Sequence, residues 1–228
     1  MKKTKNNYIS VIYNSKDRPY TKYPSKLIKY LIKRYELNKG SSILDLGCGR
    51  GEFLECFVNN GLVGFGTDQS DFVNQYSKNI KFKSSDFEKE GIPYPDNYFD
   101  YVFSKSVIEH FYNPEKFGNE VYRVLKPGGK LITMCPAWEF NYKMFYDDYT
   151  HRTPFSKISL SDFLLINGFV NVECEYFRQL PIIWKFKILI LFSEFTRLFF
   201  PNFLKKRSKW VRFSKEIMLL SSANKPFD

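Results

Sequence analysis

The sequence has little of what staples a small fold or holds a structural ion. Its 228 residues include four cysteines and two histidines, with no C-x-x-C pair and no cysteine and histidine cluster. This spacing excludes a disulfide framework and indicates neither a zinc site nor any other resident metal, so a reducing compartment is expected. The opening "MKKTKNNYIS" is basic, but no apolar segment follows it. That is not the pattern of a secretory signal, and it points to a cytoplasmic protein. No apolar run reaches the ~20 residues of a membrane span. G-x-x-x-x-G-K-[ST] does not occur, which removes the phosphate loop of nucleotide hydrolases, and no internal repeat or low-complexity segment is visible.

What is present is a folding composition. The chain is 43% hydrophobic with 24 Phe and 16 Tyr, far from the aromatic-poor profile of disorder. Its length suits one α/β domain with additions. The net charge of +11 is uneven: residues 1 to 39 carry +9, residues 40 to 176 carry −6, and residues 177 to 228 carry +8. Basic arms around an acidic middle suit a polyanion, either phosphate backbone or anionic lipid.

Strand and helix patterns alternate at short intervals. The stretches "SSILDLG", "GLVGFGTD", "IKFKSSD", "YVFSKS", "KLITMCP", "VNVECEYF" and "KEIMLLSSANKP" read as seven strands. Helices are predicted over "YPSKLIKYLIKRYEL", with Ser25 as N-cap and Gly40 as stop, over Glu52 to Asn59, near Asp71 to Ser77, over Pro114 to Leu125 closed by "KPGG", and over "SLSDFLLINGF". The alternation argues for a mostly parallel sheet covered on both faces.

Gly47, Gly49 and Gly51 stand as G-x-G-x-G between the first strand and its helix. The dinucleotide fingerprint needs G-x-G-x-x-G, so the third glycine is misplaced for a pyrophosphate. Asp68 closes the second strand, where a carboxylate accepts hydrogen bonds from both hydroxyls of a ribose. Asp86 closes the third strand, placed for an adenine amino group, with Phe87 beside it to pack on the ring.

With these residues the sequence resembles the class I S-adenosylmethionine-dependent methyltransferases, over roughly Ser41 to Glu175 plus the last strand. "ILDLGCGRG" is similar to their first motif, "GFGTDQS" to the second, "SSDFEKEGIPYPDNYFDYVFSKSVIEHF" to the third and fourth, and "EVYRVLKPGGKLIT" to the stretch leading into the fifth strand. The resemblance implies a Rossmann-like seven-stranded sheet, mostly parallel with the last strand antiparallel, and S-adenosyl-L-methionine as cofactor. It also implies the cofactor residues. Asp45, Leu46, Gly47, Cys48 and Gly49 form the first loop, Gly47 and Gly49 nearing the methionine part. Asp68 with Gln69 and Ser70 takes the ribose, Asp86 and Phe87 the adenine, and Ser104 lies near the sulfonium. The expected organisation is a basic arm and helix over residues 1 to 40 and a methyltransferase domain over 41 to 228.

Both histidines lie in loops after strands expected to end at the cofactor. His110, in the E-H pair of "SVIEHF", reads as lining the methyl pocket or as a packing residue. His151, beside Asp147, Asp148 and Arg152, reads as an acceptor-side base, a binding residue or a loop stabiliser. The segment around His151 is similar to one in family members associated with surface-glycan or lipid-glycan biosynthesis. No [DN]-P-P-[FYW] follows the fourth strand, where amino-methylating DNA enzymes carry it.

Residues 178 to 215 form an insertion rich in aromatics, in which Lys187, Glu194 and Arg197 mark one polar helical stripe. It reads as an interfacial helix contacting a membrane surface through about 182 to 212, or as a lid or homodimer element. The expected function is methyl transfer to a hydroxyl or carboxyl group of a small-molecule, glycan or lipid-linked acceptor. RNA methylation and a catalytically silent partner subunit are the alternatives.

Overall fold

The computed structural model describes residues 20–70 and 80–227. The helix expected near Asp71 to Ser77 and the first part of the basic arm lie outside the described residues. The strands make one seven-stranded sheet in the order β3-β2-β1-β4-β5-β7-β6, and the chain divides into two compact units, one up to Pro93 and one from Tyr94.

The first unit holds α1 (Tyr23–Tyr35), β1 (Ser42–Leu46), α2 (Glu52–Asn59), β2 (Val63–Asp68), β3 (Lys81–Ser84) and the short α3 (Phe87–Glu90). α1 buries Leu27, Ile28, Leu31 and Tyr35 on one stripe and packs on α2. Its ends differ from expectation. Pro24 sits in the first turn, so the helix starts ahead of Ser25, which caps nothing. It stops at Glu36 in the left-handed region, φ 52°, before Gly40 is reached. β1, β2 and β3 pair in parallel, Asp45 opposite Gly66 and Asp68 opposite Ser84. This register brings the last residues of β1, β2 and β3 to one edge.

The second unit holds β4 (Phe99–Lys105), α4 (Pro114–Val124), β5 (Leu125–Pro136), α5 (Trp138–Asn141), α6 (Lys157–Ile166), β6 (Val170–Phe177), α7 (Pro181–Lys185), α8 (Leu189–Phe199), α9 (Lys209–Lys215) and β7 (Met218–Asn224). Asn113 caps α4 by accepting from the Glu115 N–H, and Ser156 and Ser159 form a capping box on α6. "KPGG" does not follow α4 as a stop. It belongs to β5, which starts directly at Leu125 opposite Phe99. β4 and β5 are parallel, and β7 runs antiparallel to both β5 and β6. All seven expected strands are present, with the antiparallel one last, in the Rossmann-like methyltransferase order.

The insertion fills the interval between Phe177 and Met218. Instead of one long helix with a polar stripe, it is α7, α8, a 3-10 turn at Asn202–Lys206 and α9. Lys187 falls between α7 and α8, while Glu194 on α8 pairs with Arg197 and with the half-buried Arg178. Pro201 ends the second of these segments, because a proline cannot continue the helical ladder. Among the described residues no helix is long and apolar enough to cross a membrane.

Candidate functional site

In the first unit the turn after β1 is a tight loop of left-handed glycines, with φ of 75° at Gly47, 51° at Gly49 and 79° at Gly51. A side chain would strain each of them. The Gly47 and Cys48 N–H groups donate to the Thr67 carbonyl at 2.8 and 3.1 Å, which ties the loop to β2. The Gly49 N–H donates to Asp68 Oδ2 at 2.8 Å, while Ser70 donates to Asp68 Oδ1 from both its N–H and its hydroxyl at 3.0 Å. Asp68 therefore organises the loop as well as closing β2. A carboxylate has about four lone-pair positions, so the partners named here leave room for a ligand hydroxyl.

A Cβ at Gly49 would meet no described atom within 4 Å. The backbone there is open to a ligand, and together with the Asp68 carboxylate it fits the ribose and methionine end of an adenosyl donor. Asp45 and Leu46 are buried in β1, and Cys48 is buried below the loop. Burial pushes the Cys48 thiol well above its ordinary range, followed by the nearby Asp45 and Asp68 charges, which disfavours the thiolate that a nucleophile needs.

Asp86 stands before α3. Lys89 donates to its Oδ2 at 2.6 Å and Gln69 to its Oδ1 at 3.4 Å, and the Lys89 hydrogen bond holds its carboxyl below the usual range. Phe87 is buried. The last cofactor candidate, Ser104, belongs to the second unit. It is fully buried in β4 opposite Thr133, and its hydroxyl has no hydrogen-bond partner among the described residues.

The second unit brings the two histidines together. After β4 the chain makes a 3-10 turn over Ile108–His110, and the segment after α5 folds back over it. The N–H groups of Arg152 and Thr153 both donate to the Glu109 carbonyl, at 2.7 and 3.1 Å, and the Thr153 hydroxyl donates to the Phe111 carbonyl at 2.8 Å. These bonds put the His110 and His151 rings 4.8 Å apart, edge to face.

Each imidazole is held by its Nδ1. His151 Nδ1 lies 2.6 Å from the Phe145 carbonyl, an acceptor, so this nitrogen carries the proton. His110 Nδ1 lies 2.9 Å from Thr150 Oγ1, and that hydroxyl spends its hydrogen on Asp148 Oδ1 at 2.6 Å. The threonine oxygen is then an acceptor, and His110 Nδ1 also carries the proton. Both rings are neutral, with the lone pair on Nε2. Burial drives this state: it pushes His110 down to about 4, with help from the neighbouring His151, and it lowers His151 as well.

Beside them Glu109 is 1% exposed, and neither carboxyl oxygen has a hydrogen-bond partner among the described residues. Burial pushes it up to about 8. Glu109 and Thr150 drew no role from the sequence. A glutamate is ordinarily exposed, and only the fold shows that this one is enclosed. The E-H pair was visible as a motif, but its meeting with His151 was not.

The comparisons with known proteins agree with this fold. A family model described as a methyltransferase domain matches residues 44–133. The uncharacterized protein MJ0638 of Methanocaldococcus jannaschii is 30% identical over 218 residues, which cover 94% of this chain and 90% of that one. Phosphoethanolamine N-methyltransferase 2 of Caenorhabditis elegans is 30% identical over 158 residues, 64% of this chain, and the match spans 36% of that relative's length. Among solved structures, a SAM dependent methyltransferase from Archaeoglobus fulgidus superposes with a TM-score of 0.66 over 95% of this chain and 100% of that one, at 21% identity, a likeness of fold.

Proposed function

We propose that the chain, a methyltransferase with S-adenosylmethionine as its methyl donor and a methyltransferase domain over residues 44–133, methylates a hydroxyl or carboxyl group of a small molecule, with a glycan or lipid-linked intermediate as the acceptor. The donor supplies a methyl group on a sulfonium, which brings its own leaving group. What remains for the chain is to orient two reactants in line and, for a hydroxyl acceptor, to take a proton.

The observation that carries this reading is the pair of neutral imidazoles fixed with Nε2 lone pairs after the ends of β4 and β5. Such a pair is suited to accept a hydrogen bond or a proton from an acceptor O–H. A carboxylate acceptor needs no base, and the same rings then serve to orient it. In this reading Asp68 binds a ribose hydroxyl at its remaining lone-pair position, the Gly47 to Gly49 backbone faces the methionine part, and Asp86 offers its Oδ1 edge to the adenine.

The exposed aromatic face of the insertion supports a lipid-linked acceptor. Phe186, Phe192, Phe195, Phe199 and Phe203 are each at least half exposed, with Lys205, Lys206 and Arg207 close behind in sequence. The basic flanks favour RNA as the second reading.

The test is transfer of a radiolabelled methyl group from the donor to three pools: a lipid extract, soluble glycans and RNA. Label in the lipid or glycan pool supports the proposal, and its release as methanol by mild alkali separates a carboxyl ester from a hydroxyl ether. Label confined to RNA would replace the proposal with the second reading, and transfer to none of the pools would favour a silent partner subunit.

A further inference from the structure

We propose that Glu109, His110 and His151 form a binding site for one divalent transition-metal ion. The ligand atoms these three residues offer all lie within 4.8 Å of one another. Around an ion with bonds of about 2.1 Å, ligand atoms stand roughly 3 to 3.5 Å apart, so side-chain movements of about 1 Å close the site.

Three features separate this cluster from a chance meeting of polar groups. Glu109 is enclosed with both carboxyl oxygens unpartnered among the described residues, and a buried carboxyl in that condition is costly unless something else completes it. Both imidazoles present Nε2 as the lone-pair nitrogen, because Phe145 and Thr150 fix the proton on Nδ1. Metal-bound histidines are oriented in this way, the second ring nitrogen donating to a carbonyl or, through a hydroxyl, toward a carboxylate. Here the Phe145 carbonyl serves His151, and the Thr150–Asp148 pair serves His110. The backbone bonds from Arg152 and Thr153 to Glu109 then lock the two contributing segments together.

Two imidazoles and one carboxylate suit zinc, iron, cobalt or manganese over calcium and magnesium, which favour all-oxygen sets. Three protein ligands leave at least one position for water or for an oxygen of another molecule. The ion would occupy both Nε2 lone pairs, so the imidazoles act as acceptor-side bases only in the metal-free protein; the proposal does not rest on the functional reading, since the ion is bound and detected with no acceptor present.

The test is titration of the chelator-treated full chain with Co2+, followed by its visible absorption bands and by calorimetry. One equivalent per chain is expected, displaced by Zn2+. The Glu109→Gln and His151→Ala variants should lose the bands, while their affinity for S-adenosylhomocysteine stays at the wild-type value and so shows that they fold. Thr150→Val, which only positions His110, should weaken the ion about 10- to 100-fold. Wild-type protein that binds no stoichiometric Co2+, or binding unchanged in both Glu109→Gln and His151→Ala, would overturn the proposal.

Discussion

At the scale of single residues, Asp68 carries two duties. It accepts from the Gly49 N–H and from Ser70, and in the proposed function it accepts from the ribose. Charge-assisted hydrogen bonds are each worth about 1.5 to 3 kcal/mol. Asp68→Ala is therefore expected to weaken S-adenosylhomocysteine at least about 100-fold by calorimetry, whereas His151→Ala should keep that affinity and lower turnover. Unchanged affinity in the Asp68 variant would refute its place in the donor site.

Glu109 makes a prediction of opposite sign to most acids. In chelator-treated protein its folded value is about 8, against about 4.3 in an unfolded chain. Between those values the folded chain keeps the proton and the unfolded chain has lost it. The stability contributed by Glu109 is therefore complete below about pH 4 and is lost as the pH rises toward 8. His110, pushed down to about 4, loses its contribution as the pH falls below about 6.5, so the two are separated by working above neutrality. Between about pH 7 and 9, melting temperatures should fall more steeply for the wild type than for Glu109→Gln. Parallel curves would show that the carboxyl ionises normally.

At the scale of elements, α4 and α6 meet at Gly118. A Cβ there would press on Asn167 Oδ1 and come within 3.0 Å of Phe163 Cζ. The Asn167 side chain has little freedom to yield, since its Nδ2 donates to the Phe163 carbonyl at 2.8 Å. Alanine gains about 1 kcal/mol over glycine inside a helix, but overpacking costs about 1 to 3 kcal/mol. Gly118→Ala is expected to lower stability by about 1 kcal/mol in a denaturant melt, and a stabilised variant would mean that the two helices are free to separate.

Which elements the sequence revealed follows from their length and period. Most of the seven strands and the α2 limits at Glu52 and Asn59 were legible from apolar or alternating runs, whereas β3, with Phe82 as its one apolar residue, was legible only from its place in the strand and helix alternation. α3, α5 and the 3-10 turns were not, since three to five residues are too few to show a helical period. The broken insertion was misread because its aromatics persist across the breaks at Phe186 and Pro201. The glycine loop and Asp68 were legible from order along the chain. The Glu109 environment was not, because enclosure depends on the 148–153 segment arriving from far along the sequence.

At the scale of the whole molecule, charge and exposed aromatic surface occur together. Residues 177 to 228 carry +8, and the insertion exposes Phe186, Phe192, Phe195, Phe199 and Phe203. Each basic residue near an anionic leaflet contributes about 1 kcal/mol, and the attraction is screened within a Debye length. Cosedimentation with vesicles of mixed anionic and neutral lipid is expected, weakening as salt rises. Replacing Phe195 and Phe199 by serine should lower it without changing donor affinity, and equal binding to purely neutral vesicles would remove the electrostatic part of the argument.

β7 lies between β5 and β6 yet follows both in the chain. During synthesis on the ribosome β6 is therefore made before the strand it must pair with, and its edge stays bare until the whole insertion and then Met218–Asn224 have emerged. This half of the sheet closes late and through contacts distant in sequence, which folds slowly and leaves a bare edge open to other chains in the interval. The interval itself is forgiving, because each doubling of a connecting loop adds only about 0.6 kcal/mol to its closure. Evolution can lengthen or replace the stretch between β6 and β7 at small cost to the fold, making it the part of this architecture most open to change.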